Sequence, residues 1–220
     1  RDTRRRMVLH EQNPERAGYG LVMGRIQSGK TAHMIGISLH SMDPEQSDRP
    51  YDLVIILAGL IEDLRIQTKH RYSESTEAFE EVSPVVLPSI EGDISSTDEE
   101  LRSLLTSSLQ NLDNRRLALV IKKNHLVLKT LYDIIQHYPL PTKRVLIIDD
   151  ESDYASTDTG EYETEFDTGE PAVDDPSETN RVMRRLIQYF NSRSSDCMYL
   201  GYTATPFANV LIEPFKEDKD

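Results

Sequence analysis

Short, almost unbroken apolar runs recur along the chain, and each is followed by a longer stretch in which apolar residues return every three or four positions. The runs are Tyr19-Gly-Leu-Val-Met23, Asp52-Leu-Val-Ile-Ile-Leu57, Leu117-Ala-Leu-Val-Ile121, Arg144-Val-Leu-Ile-Ile148 and Cys197-Met-Tyr-Leu200, with Pro84-Val-Val-Leu87 a weaker sixth. Apolar residues without alternation mark strands buried on both faces. Between them the helical spacing predicts helices over Thr31–Leu39, from about Ile61 to His70, and after the capping box Thr97-Asp-Glu-Glu100 to about Leu112. Leu101, Leu104, Leu105 and Leu109 form the apolar face of that third helix. Asn124 is placed to cap a fourth, carrying Leu128, Leu131, Ile134 and Ile135, and Asn180 to about Phe190 forms a fifth. Strands alternating with helices predict an α/β fold, a parallel sheet with helices on both faces. One lobe over 18–213 is expected, preceded by an N-terminal segment, 1–17, and followed by a tail, 214–220. No internal repeat is evident.

The first strand and first helix flank Gly24-Arg-Ile-Gln-Ser-Gly29-Lys30-Thr31, which fits the phosphate-loop pattern GxxxxGK[ST] at every fixed position. The chemistry needs this order. Glycines let backbone N–H groups turn inward around phosphates, the helix N-terminus adds its positive dipole end, and Gly24, Gln27, Ser28 and Gly29 would line the cradle. Lys30 would reach the β and γ phosphates and Thr31 would ligate Mg²⁺, so a nucleoside triphosphate is the expected ligand. The plainer alternative is a glycine turn before a helix.

Composition narrows the setting. At 220 residues and 37% hydrophobic content the chain can fill the core of one domain. No run of eighteen apolar residues occurs, no membrane association is expected, and Arg1-Asp-Thr-Arg-Arg-Arg6 has no apolar segment behind it, so a cytoplasmic setting is the default. A single cysteine, Cys197, agrees with a reducing compartment and excludes a zinc cluster, and His10, His33, His40, His70, His125 and His137 contain no HxxxH pair. Removing the nine carboxylates that lie between Asp158 and Glu178 from the net charge of −13 leaves −4, so the overall acidity says little about any working face. That acidic stretch, 156–179, is expected to be a mobile loop, either a plain insertion or a shield over a nucleic-acid surface. The chain starts at an arginine and ends in Lys216-Glu-Asp-Lys-Asp220, which leads to the expectation of a fragment of something longer.

Val145-Leu-Ile-Ile148 delivers Asp149-Asp150-Glu151-Ser152-Asp153 at a strand's carboxyl end, where open α/β sheets place ligands. One aspartate can hold Mg²⁺ while the neighbouring glutamate orients or deprotonates the attacking water. Asp150 is preferred over Asp149 for the metal, and Glu151 is the expected base.

With Thr203-Ala204-Thr205 after the last strand, these segments resemble motifs I, II and III of superfamily 2 helicases, the second as a DExD variant. In finer detail the chain resembles the Z-one domain family, bacterial proteins described as endonucleases and placed with DNA defence or restriction-modification systems. The strings that carry this are Gln27-Ser-Gly-Lys-Thr31, Asp52-Leu-Val-Ile-Ile-Leu-Ala-Gly59 with Leu64-Arg65 and Gln67-Thr68, Lys122-Lys123-Asn124, Asp149-Asp-Glu-Ser-Asp-Tyr154 and Gly201-Tyr-Thr-Ala-Thr-Pro-Phe-Ala-Asn209. They span about 18 to 213. The resemblance implies the first RecA-like lobe of a P-loop ATPase, hydrolysing ATP with Mg²⁺ under the control of DNA. It also implies a second RecA-like lobe elsewhere, and nuclease or methyltransferase partners. Arg65, Gln67 and Thr68 would touch a nucleic-acid backbone, Lys122 and Lys123 could do so from the next strand, and Thr203 and Thr205 would couple nucleotide state to that surface. Solvated basic side chains and a plain strand-end turn are the ordinary alternatives. Arginine fingers from a second lobe contribute about 10³ to 10⁵ in rate in related hydrolases. Slow hydrolysis by this chain alone is therefore expected, and turnover near about 10 s⁻¹ would contradict it. Two further classes stay open: a nucleotide-switched interaction module and an endonuclease component. For the latter, the one ExK string, Glu217-Asp-Lys219, lies in the polar tail without a partner acid.

Overall fold

The computed structural model describes residues 18–24, 29–77, 79, 82–88, 94, 99–113, 115–137, 143–152, 176–192 and 196–204. Six strands, β1 (Gly18–Met23), β2 (Leu53–Leu57), β3 (Val85–Leu87), β4 (Leu117–Ile121), β5 (Arg144–Asp149) and β6 (Asp196–Thr203), form one sheet in the order β1-β6-β5-β2-β4-β3. Every pairing is parallel. Five helices, α1 (Lys30–Met42), α2 (Glu62–Thr76), α3 (Glu99–Gln110), α4 (His125–His137) and α5 (Pro176–Ser192), connect them. The architecture is α/β, consistent with a RecA-like lobe.

The strands are apolar on both sides because both sides are covered. Val54, Ile56, Val120, Leu146 and Ile148 pack with Met34, Ile35, Leu39 and Met42 of α1 and Tyr72 of α2. Their neighbours Leu53, Ile55, Leu57, Leu119, Val145 and Ile147 pack on the opposite face with side chains of α3, α4 and α5. The chain steps from β1 to β2 to β3 in one direction using α1 and α2, then returns through β4 and β5 to β6 using α3, α4 and α5. Changing face when direction reverses keeps one hand throughout, as the right-handed rule for parallel crossovers requires.

Several boundaries differ from the expectation, α1 reaching Met42 rather than Leu39 among them. Helix α2 runs past His70 to Thr76 although its sequence there has no apolar period; its buried stripe is Arg65, Thr68 and Tyr72. Tyr72 anchors the extension through a 2.6 Å hydrogen bond with Ser38 of α1. Helix α5 begins at Pro176 rather than Asn180, so the last residues assigned to the acidic loop are helical. Proline suits the first helical position because its missing N–H needs no partner there, and Glu178 falls in the favourable first turn. Strand β6 extends to Thr203, beyond the apolar run that announced it. Asn124 does cap α4: its Oδ1 accepts from the backbone N–H of Leu126 at 2.8 Å. Thr97 and the stretch 156–175 lie outside the described residues, as does the proposed N-terminal segment.

Candidate active site

The phosphate-loop side of the site is anchored at the ends of two neighbouring strands. The Gly24 N–H donates to the Thr203 carbonyl at 3.0 Å, tying the exit of β1 to the end of β6. Gly29 has φ +79 and precedes α1; a side chain there would find open space but a strained backbone. Its carbonyl accepts the first helical bond, from the His33 N–H at 3.0 Å. Among the described residues no side chain caps α1, and no acid lies in its first turn. Its leading N–H groups and dipole end are thus available to an anion, with Lys30 and Thr31 half-buried beside them. Gln27 and Ser28 lie outside the described residues.

The acidic side is decided by strand alternation. Consecutive residues of β5 point to opposite faces, so Asp149 follows Val145 and Ile147 toward α4 and α5 while Asp150 turns to the α1 face. Asp149 is fully buried, with Lys123 Nζ 3.0 Å from one oxygen and the Tyr199 hydroxyl donating to the other at 2.5 Å. It is committed to internal structure. Asp150 is half-buried, and the Lys30 charge acts on it from across β6, so the two sequence-predicted motifs converge.

Burial holds the Asp150 carboxyl above its ordinary range, Lys30 pulls it down, and Glu151 and Asp149 push it up again. A carboxylate that meets more desolvation and negative charge than counter-charge is a good seat for a divalent cation. Glu151 is exposed and adopts φ +53, an uncommon backbone conformation for a side chain this large. The turn carrying it is pinned from three strands. Asp150 N–H donates to Leu57 O at 3.0 Å, Lys123 Nζ to Glu151 O at 3.1 Å, and Ser152 N–H to Tyr202 O at 2.8 Å. Gly201 admits this turn, since a Cβ there would lie 2.9 Å from Ser152 Oγ.

A second link joins the two sides. His33, one turn into α1, lies 2.9 Å from the Tyr202 hydroxyl through Nδ1. Burial and then the Asp150 charge raise the Tyr202 phenol well above its usual range, and burial lowers the His33 imidazole. Neither residue stood out in the sequence. Thr203 is fully buried and level with Met23 in the β1–β6 register, next to the root of the phosphate loop. Thr205 lies outside the described residues.

The expected nucleic-acid contacts fare differently from one another. Arg65 is 0% exposed, with Nε 2.9 Å and Nη2 2.5 Å from Glu62 Oε1. Thr68 is buried in the same helix face, and Lys123 is buried on Asp149. As placed, these three do not face a passing strand, and the charged groups of Arg65 and Lys123 serve internal contacts. Lys122 remains partly exposed and lies 3.3 Å from the other Glu62 oxygen, while Gln67 is exposed. The structural use of Lys123 had a sequence signal: an aspartate directly following four apolar strand residues requires a buried counter-charge from a neighbouring strand end.

Comparison with family models, with curated proteins and with solved structures finds no match to this chain. Among the described residues, no group of three or more histidines, cysteines, aspartates or glutamates is preassembled as a metal site, and no helix is long and apolar enough to cross a membrane. A single protein carboxylate and a threonine hydroxyl nevertheless suit Mg²⁺ bound with a nucleotide, because Mg²⁺ keeps several waters and takes its remaining oxygens from phosphates.

Proposed function

We propose that this chain is the Mg²⁺-ATP-binding first lobe of a nucleic-acid-dependent ATPase of superfamily 2 type, acting in bacterial DNA defence as the Z-one resemblance suggests. The observation that carries the nucleotide reading is the placement of Lys30 and Asp150 at the carboxyl edge of the sheet on either side of the end of β6, reached from separate segments. The open α1 N-terminus and Lys30 would bind the phosphates, and Thr31 and Asp150 would hold Mg²⁺. When bound, Mg²⁺ supplies charge neutralisation on the transferring phosphoryl group. Glu151, held outward by its pinned turn, orients the attacking water and takes its proton.

The experiment is single-turnover hydrolysis of Mg²⁺-ATP by the chain and by Glu151→Gln. Slow hydrolysis by the parent that disappears in the variant, with binding retained, supports an ATPase. Equal rates in both would leave a nucleotide-switched interaction module, the second reading. One observation favours it. Ile61 and Leu126, 61% and 60% exposed at the starts of α2 and α4, the helices that follow the neighbouring strands β2 and β4, stand near the buried Arg65 and Lys123, which suits a protein surface better than a nucleic-acid backbone. Single- and double-stranded DNA added to the same assay separates the two, because a motor lobe changes its rate with DNA and a protein-directed switch does not.

A further inference from the structure

Lys123 is a costly residue to bury. Its side chain is 1% exposed and Asp149 beside it 0%, and the penalty of taking two charges out of water is offset only partly by their attraction. A pair of apolar side chains would serve a sheet of this kind as well or better. The second contact of Lys123 suggests a reason for the pair: the same ammonium donates to the backbone carbonyl of Glu151, the residue with positive φ. Lys123 is itself held on the sheet, since its N–H donates to Gly59 O at 2.9 Å, prolonging the β2–β4 ladder beyond the strand ends. Asp149 fixes the ammonium from the other side, and Tyr199 fixes Asp149.

We infer that Lys123, charged and oriented by Asp149 and Tyr199, is a positioning residue that clamps the Asp150–Ser152 turn and holds the Glu151 carboxylate outward toward the bound nucleotide. The inference rests on the nucleotide reading above. It gives the Lys123 charge a use that neither nucleic-acid contact nor core packing supplies. A freed turn would leave the strained Glu151 conformation for an ordinary one, and the carboxylate would swing away. The phosphate cradle and Lys30 do not depend on the clamp, and Asp150 keeps its own N–H bond to Leu57 O at 3.0 Å, so chemistry should suffer far more than binding.

The test compares the chain with Lys123→Met and with the triple variant Lys123→Met/Asp149→Leu/Tyr199→Phe. The triple variant replaces the whole buried network by apolar side chains of similar size and keeps the fold measurable if the single variant does not. Three quantities are read: hydrogen exchange of the amides at 150–152, the affinity for Mg²⁺-ATP, and the single-turnover rate. Expected are exchange at 150–152 faster by at least about tenfold, affinity within about threefold of the parent, and a rate lower by at least about tenfold. A folded triple variant with parental exchange and parental rate overturns the clamp and leaves the nucleotide reading standing. A parent chain that binds no Mg²⁺-ATP overturns the nucleotide reading itself, and the assigned purpose of the clamp with it.

Discussion

The two ends of the sheet are built from the same kinds of side chain and put them to different uses. At the amino end, Arg144 is buried, donates from Nε to Asp196 at 2.9 Å and stacks 4.1 Å from the centre of the Tyr51 ring. Nearby, Arg116 pairs with Asp52, Lys143 pairs with Asp113, and Asp52 also accepts the Arg144 backbone N–H at 2.9 Å. These pairs brace the starts of β2, β4, β5 and β6. At the carboxyl end one buried pair, Lys123 with Asp149, plays the same bracing part. Above it, however, Asp150 sits where burial and acidic neighbours outweigh Lys30, and Glu151 occupies a strained backbone. The proposed site lies where the pairing is less complete. Asp52 and Asp196 each have an arginine partner at contact distance, whereas burial raises the Asp150 carboxyl and Lys30 only partly opposes it.

Arg144→Met disturbs the amino end alone and should have the largest effect on stability. Asp196 is 25% exposed and keeps Arg49 nearby, so losing the charge-assisted hydrogen bond costs about 1.5 to 3 kcal/mol, and denaturant unfolding should show a loss of that order while Mg²⁺-ATP affinity per folded molecule stays unchanged. A parallel fall in affinity would mean that the two ends are not separable. A smaller effect of opposite sign is expected for Glu151→Gly. Glycine accepts φ +53 without strain, which should raise stability by roughly 1 kcal/mol while hydrolysis is lost. Lower stability in the Glu151→Gly variant would show that the backbone there is not strained. The smallest effect concerns acid. The hydrogen bond from Arg65, followed by its charge and by Lys122, holds Glu62 below the ordinary glutamate value of 4.5, against an opposing push from burial. Its folded value is thus lower than its unfolded one, so the stabilisation is complete above about 4.5 and is lost as pH falls through the folded value. Glu62 is 34% exposed, and solvent screening limits the contribution to about 1 kcal/mol or less. Glu62→Gln should flatten the acid limb of the stability profile, and an unchanged limb would assign it to other groups.

Much of the fold was legible in the sequence, because doubly buried strands read as apolar runs. The preference for Asp150 over Asp149 also has a plain physical basis in the alternation of β5, which sends the first acid to Lys123 and the second toward α1. What escaped was polar residues in positions where apolar ones are expected. The buried stripe of α2 is Arg65, Thr68 and Tyr72, so a reading by hydrophobic period ended that helix early and offered Arg65 and Thr68 to solvent. The start of α5 was hidden in the same way, its first turn being taken for part of an acidic loop although Pro176 and Glu178 are good opening residues for a helix. His33 and Tyr202 meet only because β6 lies beside β1, an adjacency that no local pattern announces.

Everything proposed for this chain depends on Lys30 and Asp150 forming one nucleotide site. Calorimetric titration of Mg²⁺-ATP into the chain and into Lys30→Ala, with and without single- and double-stranded DNA, addresses that dependence without intermediate steps. Saturable binding is expected for the parent, weakened by about ten- to a hundredfold in the variant as a charge-assisted contact is lost, and shifted by DNA. Equal binding by both proteins, or none by the parent, would refute the site.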